Sequence, residues 1–173
     1  MDRNWLSLYD KGVPHSIDYP DQTLPDILAQ TVEQYPNHKA LRLYDTVLTY
    51  GQLFERVYSL AAALKDRGVN KGDRIALLLP NSPTYVVAYY ATLQLGAVAV
   101  NINVSFEGDE LTRLINHCDP EILVTLDLFL KNVTAVADQT SLKRVLIHSV
   151  FGLEKESDAA WEKGEIEILA DLI

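Results

Sequence analysis

"RIALLLPNSPTYVVAYYATLQLGAVAVNINVSF", residues 74–106, decides the fold. The run "RIALLLP" is apolar at consecutive positions, which is the pattern of a strand covered on both faces. Ser82 then offers a helix cap and Pro83 a residue tolerated in the first turn. Val86, Val87, Tyr89, Tyr90, Leu93 and Leu95 spread around most of the helix that follows, up to Gly96, so that helix must be largely enclosed. "GAVAVNIN" returns as a second strand.

Working toward the C-terminus, the spacing predicts a helix bearing Leu111, Leu114, Ile115 and Cys118. A strand "EILVTL", a helical stretch from Phe129 to Asp138 and a strand "KRVLIHSV" follow. The order βαβαβαβ with short connections favours right-handed crossovers. It predicts an α/β fold: a mostly parallel, doubly wound sheet with helices on both faces.

Working toward the N-terminus, Leu53, Val57, Leu60, Ala61 and Leu64 recur at helical spacing behind the capping pair Thr49 and Gln52, and the helix closes at Lys65, Arg67 and Gly68. "KALRLY" and "TVLTY" read as a small hairpin turning near Asp45. An earlier helix starts at Thr23, with Asp26 and Pro25 in its first turn, and stops before Pro36. Its expected inner face carries Ile27, Leu28, Thr31, Val32 and Tyr35. Residues 1–22, with Gly12, Pro14 and Pro20, show no periodicity and read as an extended arm whose Trp5, Tyr9 and Tyr19 dock onto other surface. Residues 23–150 are the expected α/β subdomain. Residues 151–173 form an acidic tail, where Glu154, Glu156, Asp158, Glu162, Glu165, Glu167 and Asp171 face only Lys155 and Lys163, and they read as a solvated or frayed truncated edge.

The bulk numbers narrow the partners. A chain of 173 residues, 48% hydrophobic and 23% charged, suits one domain with a real core and has no apolar run long enough for a membrane span. Its net charge of −9 opposes adhesion to phosphate backbones or anionic lipid, so nucleic acid is not an expected partner. "MDRNWLSLYD" has neither a basic leader nor an apolar signal core, which places the chain in the cytoplasm. One cysteine, Cys118, permits neither an internal disulfide nor a cysteine metal cluster.

No single motif announces chemistry. Ligands of such sheets bind outside the carboxyl ends of the strands, here "PNSP" and "NINVSF". Asn81, Ser82, Asn101 and Asn103 lie there, although capping and turn formation are the expected roles of Asn and Ser at such ends. Neither G-x-G-x-x-G nor G-x-x-x-x-G-K-[ST] occurs. "GVNKGD" joins a helix C-terminus to a strand, so its dipole faces the wrong way for an anion. His15, His38, His117 and His148 are far apart in sequence and show no zinc spacing. His117 and Cys118 are adjacent on a helix and point apart, which favours a core cysteine over a nucleophile. Tyr85, Tyr89 and Tyr90 could line a channel, but their helical spacing favours packing. No catalytic, cofactor-binding or metal-ligating residue is assigned.

The segments "TLPDILAQTVEQYPNHKALR", "LTYGQLFERVYSLAAALKDRGVNKGDRIALLLPNSPTYVVAYYATLQLGAVAVNINVSF" and "DELTRLINHCDPEILVT" together resemble the N-terminal part of the adenylate-forming (AMP-binding) acyl-CoA synthetases. The resemblance runs from Trp5 to Val150. "AVNINVSF" and the arm "YDKGVPHSIDYPD" are most similar to the long- and medium-chain fatty-acid–CoA ligases, with Val104 where proline is usual and Phe106 where tyrosine is usual. The resemblance implies ATP, Mg2+ and CoA for a full-length enzyme and none of them for this fragment. The Ser/Thr/Gly-rich phosphate loop and the catalytic lid of the family lie downstream of the matched region, and the chain has no Ser-Gly or Thr-Gly dipeptide. The resemblance therefore implies an N-terminal fragment, inactive alone, whose partner is the remainder of the ligase chain and which self-associates when cut free. A free-standing α/β module binding a small ligand or a protein is the alternative on the same frame.

Overall fold

The computed structural model describes residues 4–149 and 164–169. Two threonines fix where the first long helices begin. At α1 (Leu24–Gln34) the Asp26 N–H donates to Thr23 Oγ1 at 3.3 Å while the Thr23 N–H donates to Asp26 Oδ2 at 2.9 Å. At α2 (Tyr50–Asp66) the Gln52 N–H donates to Thr49 Oγ1 at 3.2 Å and the Thr49 N–H to Gln52 Oε1 at 2.9 Å. Each pair satisfies two N–H groups that a helix start would leave without partners, the reciprocal arrangement expected from the sequence. Between the helices, β1 (Lys39–Leu43) and β2 (Thr46–Thr49) form an antiparallel hairpin, a two-stranded sheet of its own. Tyr44, with φ of 51°, makes the turn.

The main sheet holds β3 (Arg74–Leu78), β4 (Val98–Asn101), β5 (Ile122–Leu126), β6 (Arg144–His148) and β7 (Glu165–Ile168), all parallel, in the order β4-β3-β5-β6-β7. Along β3 the side chains alternate between two cores, as the pleat requires. Ile75 and Leu77 join Leu53, Val57, Leu60 and Leu64 of α2 and Val87, Ala88 and Ala91 of α3 (Pro83–Gln94). Ala76 and Leu78 join Leu111 and Ile115 of α4 (Gly108–Cys118) and Val133 and Val136 of α5 (Leu130–Ala137). Each fully buried Leu or Ile contributes about 1.5–3 kcal/mol of apolar transfer free energy. The expected α/β sheet, doubly wound and covered on both faces, is the fold observed, and all five of its strands are parallel.

Three expectations are corrected. Within the expected acidic tail, Glu165–Ile168 is the fifth strand of the sheet, so the α/β body extends past residue 150. Its "EIEI" alternates: Ile166 packs on the core formed with α4 and α5, and the neighbouring Leu169 is buried on the other side. Both of its carboxylates are paired, with Glu167 the more enclosed and Glu165 still largely exposed. Glu167 meets Arg67, whose Nε donates to Glu167 Oε2 at 2.7 Å, and it also meets Arg144, while Arg144 Nε donates to Glu165 Oε2 at 2.8 Å. Other acids of that tail lie outside the described residues. The second correction concerns the arm. It contains a 3-10 turn at Asn4–Leu8 where an extended arm was expected and is otherwise irregular, and Trp5, Tyr9 and Tyr19 are 55%, 43% and 84% exposed. The third concerns α1, which lies at the periphery. Leu28 is buried and Val32 packs on the core, but Ile27 and Tyr35 stay exposed.

Candidate functional site

In a parallel sheet all carboxyl ends point to one end of the molecule, and a crevice opens where successive connections leave in opposite directions. From β3 the chain runs to β4 on one side, whereas β5 lies on the other, so this point falls between β3 and β5. Thr125, fully buried on β5, donates its hydroxyl to the Leu78 carbonyl at 2.9 Å and ties the two strand ends together.

The polar groups singled out by the sequence do reach this end, mostly with local duties. The Tyr85 N–H donates to Ser82 Oγ at 3.2 Å, which caps α3 beside Pro83. The Ser105 N–H donates to Asn103 Oδ1 at 3.0 Å, an Asx turn leading toward α4. Asn101 ends β4, opposite Leu77. Asn81 is exposed at the rim of a groove of about 260 Å³, lined also by Leu41, Arg42, Leu43, Ser82, Pro83 and Val86. Tyr85 stacks on Tyr89 and Tyr89 meets Tyr90 edge-on, both at 5.9 Å, and all three pack against the core, which is the packing role their spacing favoured.

A second cluster, at the ends of β5 and β6, escaped the reading of motifs. The pairing of Leu126 with His148 sets Asp127 beside Ser149. Asp127 accepts from the Ser149 hydroxyl at 2.9 Å through Oδ2 and from the Leu128 N–H at 3.0 Å through Oδ1. His148 Nδ1 is buried and has no hydrogen-bond partner among the described residues. Burial lowers the His148 pKa below its ordinary value; the negative field of Asp127 opposes this and the positive field of Arg56 reinforces it. His148 therefore stands neutral at pH 7. These residues are distant in sequence and only strand register brings them together. The available signal was that His148 closes a strand at the ligand-bearing end.

At the opposite, amino end of the sheet, "GVNKGD" forms the α2–β3 turn, with Gly68 and Gly72 at φ of 89° and 91°. A groove of about 220 Å³ there is lined by Arg67, Asp73, Arg74, Asp119 and Glu121, among others. Its charges answer one another: Arg74 pairs with Asp119 at 3.2 Å, Arg67 with Glu167, and the Asn70 N–H donates to Asp73 Oδ2 at 2.7 Å. Of the other histidines, His15 meets Tyr9 edge-on and His38 stacks on Tyr35. Among the described residues no three His, Cys, Asp or Glu side chains converge as a metal site. No described helix is long and apolar enough to cross a membrane.

The long-chain-fatty-acid–CoA ligase of Bacillus subtilis (strain 168) is 32% identical over 146 residues, which are 84% of this chain and 26% of that protein. Its counterpart in Escherichia coli O6:H1 is 33% identical over 150 residues, covering 85% of this chain and 27% of that protein. The chain thus spans about a quarter of the length of these curated relatives. Among solved structures, a long-chain-fatty-acid-CoA ligase from Archaeoglobus fulgidus superposes with a TM-score of 0.73 at 26% identity, over 84% of this chain and 30% of that one. The anthranilate CoA ligase AuaEII, in complex with anthranoyl-AMP, superposes with a TM-score of 0.71 at 24% identity over 78% of this chain, a likeness of fold. The α/β fold, with its mostly parallel five-stranded sheet, is that of the N-terminal region of adenylate-forming CoA ligases. Residues 28–169 match the family model described as AMP-binding enzyme, and the chain belongs to that family.

Proposed function

We propose that this chain is the N-terminal part of a fatty-acid–CoA ligase and serves it as a frame. In the complete enzyme, the fatty-acid carboxylate attacks the α-phosphorus of ATP, releasing pyrophosphate and leaving an acyl-adenylate. The CoA thiolate then attacks the acyl carbon and releases AMP. ATP, Mg2+ and CoA belong to that complete enzyme, in the cytoplasm, and the rest of the ligase chain is the partner of the piece described above. The observation that carries this reading is the 32–33% identity to long-chain-fatty-acid–CoA ligases over a quarter of their length. The engagement of Ser82 and Asn103 in capping and turn formation supports a supporting role over a chemical one.

The isolated chain, incubated with ATP, Mg2+ and palmitate, is expected to form no acyl-adenylate detectable by mass spectrometry. Turnover by the isolated chain would end the reading. The same reading expects apolar surface meant for the rest of the enzyme to drive self-association. Val98 on edge strand β4 and Leu128 beside the crevice are 48% and 56% exposed. Light scattering should show a mass that rises with concentration, and a constant monomer mass would count against it.

A further inference from the structure

Successive side chains of β6 go to opposite faces of the sheet, as the pleat requires. Val145 and Ile147 lie in the core formed with α4 and α5, and Leu146 lies in the core formed with α2 and α3. His148 continues the side of Leu146, where Arg56 of α2 acts on it, and Ser149 continues the other side. On the α2 side the imidazole stands in an apolar row. Leu126 is its partner on β5, and the register of β6 with β7 brings Leu169 to its other flank; both leucines are buried. Asp127 reaches this pair from beyond the end of β5. Its carboxylate accepts from the Ser149 hydroxyl and from the Leu128 N–H, and its charge acts on His148.

The neutral imidazole keeps Nδ1 buried with no partner among the described residues. Once protonated, both ring nitrogens carry hydrogen, so Nδ1 becomes a charged donor whichever tautomer came before. A cation in an apolar row needs an anion beside it, the more so under the guanidinium of Arg56. Asp127 is the carboxylate that acts on this ring, and it is bonded to Ser149, on the opposite side of the strand. A carboxylate that turns toward the imidazolium must therefore turn away from the Ser149 hydroxyl.

We propose that Asp127 and His148 form a proton-driven latch at the carboxyl end of the sheet. With His148 neutral, Asp127 holds Ser149 and the Leu128 N–H. When His148 takes a proton from solvent, the carboxylate turns to the imidazolium and lets both go. The element that changes position is the turn Asp127–Phe129, whose Leu128 is 56% exposed beside the crevice. Burial holds the His148 pKa below its ordinary 6.5, so the latch turns over on the acid side of that pH.

Two-dimensional NMR of the 173-residue protein between pH 7.5 and 5 tests this. The ring nitrogens of His148 give its own midpoint, expected below 6.5, and the Leu128 and Ser149 amides should shift with that same midpoint. Ser149→Ala removes the competing hydroxyl, so the His148 midpoint should rise. Asp127→Asn removes the anion and keeps an acceptor for Ser149. It should lower the His148 midpoint and abolish the linked shift of the Leu128 amide.

A Leu128 amide that titrates with His148, and stops doing so in Asp127→Asn, supports the latch. A Leu128 amide that stays still while the imidazole titrates overturns it. So does an unmoved His148 midpoint in Ser149→Ala, the result expected of a histidine that merely packs. If Asp127→Asn does not fold, the Ser149→Ala midpoint decides by the same rule.

Discussion

His148 shows how a single side chain can report on the fold. Its imidazole is held below the usual value of 6.5, first by burial, against Asp127 and with Arg56. The unfolded chain therefore binds a proton near pH 6.5 more readily than the native one does. Its contribution to stability is full above that pH and is lost as the pH falls toward the lowered native value, below which it levels off. Urea midpoints between pH 7.5 and 5 should fall for the native protein and fall less steeply for His148→Gln. Equal slopes would place His148 in solvent. At this scale the sequence was readable where a duty is local: Thr23, Thr49 and Ser82 cap the helices they precede, and Asn103 makes a turn two residues long. It was not readable where residues meet across strands, because no spacing along the chain encodes the register that sets Leu126 against His148.

The elements follow from periodicity wherever one pattern fills a whole segment. Leu53, Val57, Leu60, Ala61 and Leu64 are all buried on α2, as their spacing required. β3 buries four consecutive residues, because helices cover both its faces. Leu78, 1% exposed, is a direct check on that strand. In Leu78→Asp an unpaired carboxylate would enter the core beneath α4 and α5 at a cost of several kcal/mol, a large share of a typical domain's stability. Thermal unfolding of Leu78→Asp should lose its cooperative transition, whereas Lys65→Asp, on the exposed side of α2, keeps it. An unchanged melt for Leu78→Asp would contradict the strand. β7 was missed because seven acids over twenty residues dominate composition, while the period-2 alternation in "EIEI" occupies only four of those residues. Glu165 and Glu167 of this strand pair with Arg144 and Arg67, which are far away in sequence and so gave no local signal. In the arm, the lack of any period hid the 3-10 turn at Asn4–Leu8, because five residues are too few to show one.

For the whole molecule, the layered parallel sheet engages Ser82, Asn103 and Thr125 in a cap, a turn and a tie between strand ends, and residues 28–169 match the AMP-binding enzyme family. The two-sided core and the parallel run of the strands were legible because alternation of strand and helix restricts topology severely. The crevice contents were not, because groups such as Asp127 and Ser149 meet there only through strand register. The most direct measurement is acyl-adenylate formation from palmitate and ATP by residues 1–173 alone, and by the same residues joined to the remainder of the Bacillus subtilis ligase. No product from the first and ATP-dependent product from the second is the predicted result. Product from the isolated chain, or none from a folded joined protein, would contradict the account.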